Sequence, residues 1–462
     1  MNYEYFNLSI PQKSILAMEN YYSNDTFNNI SGVLVFKNNI SKTTIEKAVK
    51  TLICNNEAFR LRITQKDGQY YQYISKFKPK NLEYEDFKDN VETYKHWINN
   101  EKNQYLFKYD EDLFVAKLFR TPEGDNSIIL TTHHLIHDAY SLISVFSNKL
   151  LDYIYNNIEQ SGDLVSYSYK RYVDNEEVYL KSDKFDKDSV FWNRKISEYG
   201  GVALYGNGYN NDLKAGTIVY DLGEAFTRKM KKYCSENKIS IFNLFIGAFS
   251  YYKSVLTNNQ SVVIGTPILN RINNYEKNTV GMFVNTLPFF ININPHDDVK
   301  TLLYQIKNHT FNILKHHKYP YENIRNTYVK LKKETQDLFE IILSYQNAKI
   351  RKEVDKNAYQ VQWLESDRKI NPLTISILDY NNSENLKIKY DFQLKRINNE
   401  DLKLIHSRII NILIQFMNEY DSLISDIEII SEEEKHKLLV EFNDTKAEYP
   451  RDKTINELFE EQ

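Results

Sequence analysis

Cysteine is nearly missing: 462 residues hold two, Cys54 and Cys234, far apart in the chain. That spacing excludes a disulfide framework and fits a reducing cytoplasm. Long apolar runs are missing as well. None approaches the ~18 residues a membrane span needs. Met1 is followed by polar Asn2, Tyr3 and Glu4, which does not read as a secretory signal. Nor is there an excess of one charge. Lys and Arg number 59 against 62 Asp and Glu, a formal net charge of −3, and the two signs are interspersed. This leaves no footprint for nucleic acid, and the lysine-rich runs read as solvated faces. The length suffices for two to three domains with a large core.

Three of the ten histidines fall in one short stretch, Thr131-Thr132-His133-His134-Leu135-Ile136-His137-Asp138-Ala139-Tyr140-Ser141. The segments 112–119 and 126–134 read as two strands around the turn signal Thr121-Pro122-Glu123-Gly124-Asp125. In the second strand His133 and His134 face opposite sides. After Asp138 the period becomes helical, with Leu142, Phe146, Leu150 and Ile154 on one stripe. The histidines therefore end a strand, and Asp138 sits in the turn into a helix. Opposite faces argue against a shared metal ion, and no Cys or Glu completes a ligand spacing, so no metal is expected. The plain readings are a core histidine at 133 and a helix N-cap at 138. His134, on the last pleat, is placed to meet a ligand.

Other segments stand out in order. Ser9 reads as an N-cap with Pro11 and Gln12 in the first turn that follows. Asn56-Glu57-Ala58-Phe59-Arg60-Leu61-Arg62-Ile63 places Arg60 and Arg62 on one strand face. An acidic, aromatic segment runs from Tyr172 to Phe191-Trp192. Strands are read at 32–36, 217–222, 261–265, 338–346, 371–377 and 386–391, and helices at 40–54, 239–253 and 400–420. Ile264-Gly265-Thr266-Pro267-Ile268-Leu269-Asn270-Arg271 and Val280-Gly281-Met282-Phe283-Val284-Asn285-Thr286-Leu287-Pro288 follow each other closely. His316-His317-Lys318-Tyr319-Pro320-Tyr321-Glu322 closes the series, with His316 read as a structural helix-end residue.

Taken together these segments resemble the motifs of condensation domains from nonribosomal peptide synthetases, in the chloramphenicol-acetyltransferase-like superfamily. The stretch at 133–139 is similar to His-His-x-x-x-Asp-Gly, with Ala139 at the Gly position. The resemblance implies an α/β fold of two such lobes in a V-shaped pseudodimer with a central tunnel. Residues 1–165 would form the N-terminal lobe, 166–432 the C-terminal lobe with its latch and floor loop, and 433–462 a linker toward an adenylation domain. It implies His134, His133, Asp138 and Ala139 as catalytic positions, Arg60 as the structural partner of Asp138, and Tyr140, Asn285 and Tyr345 along the substrate tunnel.

The implied chemistry joins a donor acyl or peptidyl thioester to the amine of an aminoacyl thioester. Both ride on phosphopantetheine arms of carrier proteins, and the domain, expected as a monomer, binds no cofactor of its own. A free α-amine has a pKa near ~7.7–8.0, so attack needs placement more than prior deprotonation. His134 suits removal of the amine proton, and the Ala139 amide suits the oxyanion. If that turn requires positive φ, Ala is unfavourable there. Two readings stay open, an active acyltransferase and a silent scaffold that holds carrier proteins or a partner enzyme. Segments 12–29 and 316–323, with the first motif within ten residues of Met1, resemble chain-initiating starter domains. Their donor would come from an acyl-CoA or an acyl carrier protein. An elongation domain is the alternative.

Overall fold

Among the described residues three sheets carry the fold, and helices cover the faces that their apolar residues present. The computed structural model describes residues 3–37, 40–78, 80–155, 167–199, 203–205, 212–333, 338–347, 358–380, 383–446 and 452–462. The strands are β1 (Tyr5–Asn7), β2 (Asn29–Phe36), β3 (Leu61–Lys66), β4 (Gln69–Ile74), β5 (Tyr84–Asp86), β6 (Phe114–Arg120) and β7 (Asn126–His133). They continue with β8 (Ala215–Asp221), β9 (Ser261–Ile268), β10 (Asn285–Asn292), β11 (Ile341–Gln346), β12 (Tyr359–Leu364), β13 (Leu373–Leu378) and β14 (Lys387–Gln393). A small sheet has the order β1-β4-β3. A five-stranded sheet has the order β12-β2-β7-β6-β5, and a six-stranded sheet β10-β9-β11-β13-β14-β8. Each strand expected from the sequence is present, with ends shifted by a few residues.

The strand that leads to the histidines lies deep in its sheet. β7 pairs antiparallel with β2 and with β6, and is buried from Ser127 to His133. The expected turn joins it to β6, with Gly124 at φ +96°, a conformation open to glycine and rarely to other residues. Past the turn at 138 the chain winds as a π-helix over Ser141–Ser147 and as an α-helix over Asn148–Tyr155. Ser147 Oγ donates to Leu142 O at 2.8 Å within the wide turns. Leu142, Phe146, Leu150 and Ile154 all enter the core under β2 and β7, as their spacing predicts. Each such side chain contributes about 1.5–3 kcal/mol by leaving water.

The second core forms around the helix Ile241–Thr257, most of whose residues are buried. The helices Val299–Lys315 and Asn399–Asn418 pack against it. Gly247 permits the close approach, since a Cβ there would lie 2.9 Å from Leu303 Cδ2. Among the described residues no single helix is long and apolar enough to cross a membrane.

β1, β4, β5, β10 and β12 are not among the strands read from the sequence, and β12 matters most for the architecture. It arrives late in the chain, yet pairs antiparallel with β2, from Tyr359 opposite Phe36 to Leu364 opposite Ser31. Val361 and Trp363 pack into the first core. The second half thus supplies an edge strand to the first half's sheet. Two ion pairs stand beside this crossing, Asp25 with Arg368 and Lys102 with Asp367 at 2.9 Å. The expected lobe division at 165/166 falls outside the described residues.

Candidate active site

His133, the last residue of β7, opposes Asn29 of β2 and is 2% exposed. Its Nδ1 accepts the Leu135 amide at 3.1 Å, so Nε2 carries the hydrogen and faces Glu19 Oε2 at 3.1 Å. Glu19 also accepts from Asn28 at 2.7 Å. His133 is therefore a core bracket that ties the strand end to the first helix, Ile10–Tyr21. Gln12 of that helix, buried at the N3 position of a capping box with Ser9, donates to Leu135 O at 2.8 Å. The N-terminal segment thereby holds the turn from a second side.

His134 leaves the sheet and is partly exposed. Its Nδ1 lies 3.1 Å from the His137 carbonyl, which can only accept, so Nδ1 bears the hydrogen and Nε2 keeps its lone pair. Burial, and the neighbouring His133, push its pKa down to about 4, more than Asp138 raises it. The imidazole is thus neutral at physiological pH. His137 is wholly buried against Phe59, with ring centroids 4.5 Å apart, and neither ring nitrogen has a hydrogen-bond partner among the described residues. Burial pushes its pKa down to about 3.

Asp138 does not pair with Arg60. It pairs with Arg271, whose Nη1 lies 2.6 Å from Oδ2 and whose Nη2 lies 3.1 Å from Oδ1, both side chains being 1% exposed. Arg60 cannot reach because it ends the 3-10 turn Glu57–Arg60 ahead of β3, where Nη1 donates to Ser75 O at 3.1 Å. Arg62 pairs instead with Asp112. Asp138 further accepts the amides of Ser141 at 2.8 Å and Phe283 at 3.1 Å. The first of these is the expected N-cap bond. Burial raises the carboxyl's pKa, but the Arg271 charge and these hydrogen bonds outweigh it and hold the group below its ordinary range.

Arg271 also donates to Ser141 Oγ at 2.7 Å, Glu276 O at 3.2 Å and Gly281 O at 3.3 Å, and its guanidinium lies 4.0 Å from the Phe283 ring centre. Three sequence segments, 133–141, 264–271 and 280–288, therefore meet at one buried charge pair. Gly281 is required at this junction, since a Cβ there would come within 2.2 Å of the Tyr169 ring.

Ala139 follows the cap as the first helical residue and is exposed, and its φ is not positive. The backbone strain expected of alanine is absent. Its amide belongs to the helix N-terminus, where the first N–H groups lack intrahelical acceptors. Tyr140 sits partly exposed beside the Arg271 guanidinium, 4.8 Å from its ring centre. The two other residues expected along the tunnel are held by hydrogen bonds. Asn285 is buried and donates to the carbonyls of His317 and Tyr319, both at 3.0 Å, so its amide pins the turn after the helix Val299–Lys315. Tyr345 donates to Asp379 and packs against the second core. His316 is structural, as expected. It stacks on Phe191 at 4.0 Å, and its carbonyl accepts from Trp192 Nε1 at 3.1 Å.

The arrangement offers a neutral base with a free lone pair beside a helix N-terminus, on a turn fixed by a buried ion pair. Among the described residues no group of three or more His, Cys, Asp or Glu is placed to hold a metal.

Comparison with known proteins follows the same lines. The family model described as condensation domain matches residues 3–439. Surfactin synthase subunit 1 of Bacillus subtilis (strain 168) is 28% identical over 473 residues, covering 100% of this chain and 13% of that protein. Gramicidin S synthase 2 of Aneurinibacillus migulanus is 25% identical over 478 residues, covering 99% of this chain and 10% of that protein. The chain thus spans less than a fifth of these relatives. The first condensation domain of the CDA synthetase aligns with a TM-score of 0.80 at 15% identity, over 93% of this chain and 99% of that one. The starter condensation domain of a rhizomide synthetase variant in complex with C8-CoA aligns with a TM-score of 0.79 at 18% identity, over 92% and 97%.

Proposed function

Since the chain belongs to the condensation-domain family of nonribosomal peptide synthetases, we propose that it forms an amide bond between a donor acyl or peptidyl thioester and the amine of an aminoacyl thioester. Both substrates are carried on the phosphopantetheine arms of carrier proteins. The observation that carries this reading is the His134 Nδ1 bond to the His137 carbonyl, which leaves Nε2 unprotonated on a partly exposed ring.

The neutral amine attacks the donor carbonyl, and a C–N bond forms as the carbonyl electrons move to oxygen. Holding the two arms in register supplies about 7–11 kcal/mol of the barrier. His134 Nε2 takes the proton from the cationic nitrogen. The Ala139 amide, at a helix N-terminus, faces the oxyanion. The tetrahedral adduct then collapses, the C–S bond breaks, and the leaving sulfur receives the proton held on His134. Ordinary backbone geometry at Ala139 supports this active reading over a silent scaffold.

The finer assignment is chain initiation. A solved starter domain of the same fold was captured with C8-CoA, so an acyl-CoA is the first donor to try. We assign 1–165 and 166–432 to the two lobes and 433–462 to a linker. Exposed Ile455 and Phe459, at 84% and 81%, support a following adenylation domain that covers them. The test supplies an aminoacyl carrier protein as acceptor, with either octanoyl-CoA or a peptidyl carrier protein as donor. Amide formation that is lost in His134→Ala is expected. Product from the peptidyl donor alone would remove chain initiation, and no product from either donor would remove the activity.

A further inference from the structure

The first half of the chain holds a cavity of about 740 Å³ that the proposed chemistry does not use. It opens between the small β1-β4-β3 sheet and β6, and no residue of the 133–141 turn lines it. Its volume falls within the ~300–1,000 Å³ of small-molecule sites. Its charge is one-sided, with eight Lys and Arg against four Asp and Glu on the wall. Several of the cations are already matched. Arg62 and Lys80 share Asp112, Lys117 meets Glu83, and Lys50 meets Glu46. Arg60, Lys76 and Lys78 are not matched, having no carboxylate at ion-pair distance among the described residues. Arg60 is half-buried, and its Nε has no hydrogen-bond partner among the described residues. A guanidinium desolvated in this way is costly unless an anion meets it. Phe59, Phe77, Leu82 and Phe114 supply an apolar part of the wall, beside polar Ser75, Asn81 and Gln104.

We propose that this cavity binds a small phosphorylated ligand with an aromatic body, of the nucleotide class. The phosphates sit on Arg60, Lys76 and Lys78, and the flat body lies against Phe77 and Phe114. Three unmatched cations call for more than one negative charge, which a diphosphate supplies and a single carboxylate does not. The guanidinium fork also fits phosphate oxygens in pairs.

Calorimetric titration of the full chain with ADP, adenosine and pyrophosphate tests the assignment. ADP is expected to bind at one site, adenosine not to saturate, and pyrophosphate to bind more weakly than ADP. Arg60→Gln should weaken ADP roughly tenfold. The double change Lys76→Gln/Lys78→Gln, on exposed side chains, should weaken it similarly with an unchanged melt. Phe77→Ala should weaken ADP and leave pyrophosphate as it was. Absence of saturable ADP binding overturns the proposal, as does ADP binding indifferent to the lysine changes. Equal affinity for ADP and pyrophosphate overturns the aromatic part.

Discussion

Replacing Arg271 with Met removes the guanidinium and keeps most of the side-chain volume. Asp138 is then left buried with only the Ser141 and Phe283 amides as donors. The carbonyls of Glu276 and Gly281 and the Ser141 hydroxyl lose a donor at the same time. Breaking a buried pair from one side costs about 3–5 kcal/mol. Against a total stability of ~5–15 kcal/mol, that is a third or more in many proteins. Arg271→Lys keeps the charge but cannot span both carboxylate oxygens, so an intermediate loss is expected. Arg60→Met loses one bond to Ser75 O, worth ~0.5–1.5 kcal/mol. Urea unfolding at pH 7, followed by the fluorescence of Trp97, Trp192 and Trp363, ranks the three variants. Adding Asp138→Asn to Arg271→Met should recover part of the loss, because no unpaired charge remains. Should Arg271→Met fall within ~1 kcal/mol of the wild type, or Arg60→Met cost as much, the role given to the pair would be wrong.

The other expectations concern the turn and its surroundings. His134→Ala should abolish amide formation and leave the urea midpoint nearly unchanged, whereas His133→Ala should cost ~1–3 kcal/mol by leaving buried Glu19 with Asn28 as its remaining named donor and the Leu135 amide without the imidazole acceptor. Equal melts for the two would contradict their different roles. Ala139→Gly should leave the rate within about twofold and lower stability by up to ~1 kcal/mol, and a large acceleration would show that the alanine hinders. Gly281→Ala should destabilise the junction by forcing Tyr169 aside, visible as a lower midpoint and lost activity together. The pKa values of His134 and His309 are pushed down to about 4, that of His406 to about 4, and that of His137 to about 3. Their folded values lie below the ordinary 6.5, so the unfolded chain binds more protons between pH 6.5 and 4. Stability should hold above pH 6.5 and fall as pH drops toward 4. A midpoint flat across that window would refute buried neutral imidazoles.

Periodicity and turn residues were enough to locate β2, β6 to β9, β11, β13 and β14, the helical stripe and the histidine turn, because these depend on neighbours within a few residues. Partners distant in sequence were not legible in the same way. Arg271 stood at the end of a noted segment, but a charge says nothing of which carboxylate it meets 133 positions away. The available signal was a lone arginine between Leu269 and Ile272 just after a buried strand, where a cation must find an anion. Arg60 misled because it was read onto β3, while the chain was still in the preceding 3-10 turn. Asn285 was read by its place in a motif, and nothing local reveals that its amide serves two carbonyls of another turn. β12 was missed because Tyr359–Leu364 mixes polar and apolar residues, as an edge strand does, and its partner lies in the other half of the chain.

That borrowed edge strand bears on recombination. A chimera joined anywhere between β2 and β12 takes one strand of this pair from each parent. Its six-residue register, from Tyr359–Phe36 to Leu364–Ser31, must then match across parents, together with the fit of Trp363 over Gly32. A swap that carries β12 along with the first half would keep the sheet intact but place two new splices in the second half. For this chain a cassette that keeps the β2–β12 seam native must therefore carry residues 29–36 and 359–364 from the same parent, which neither half alone does.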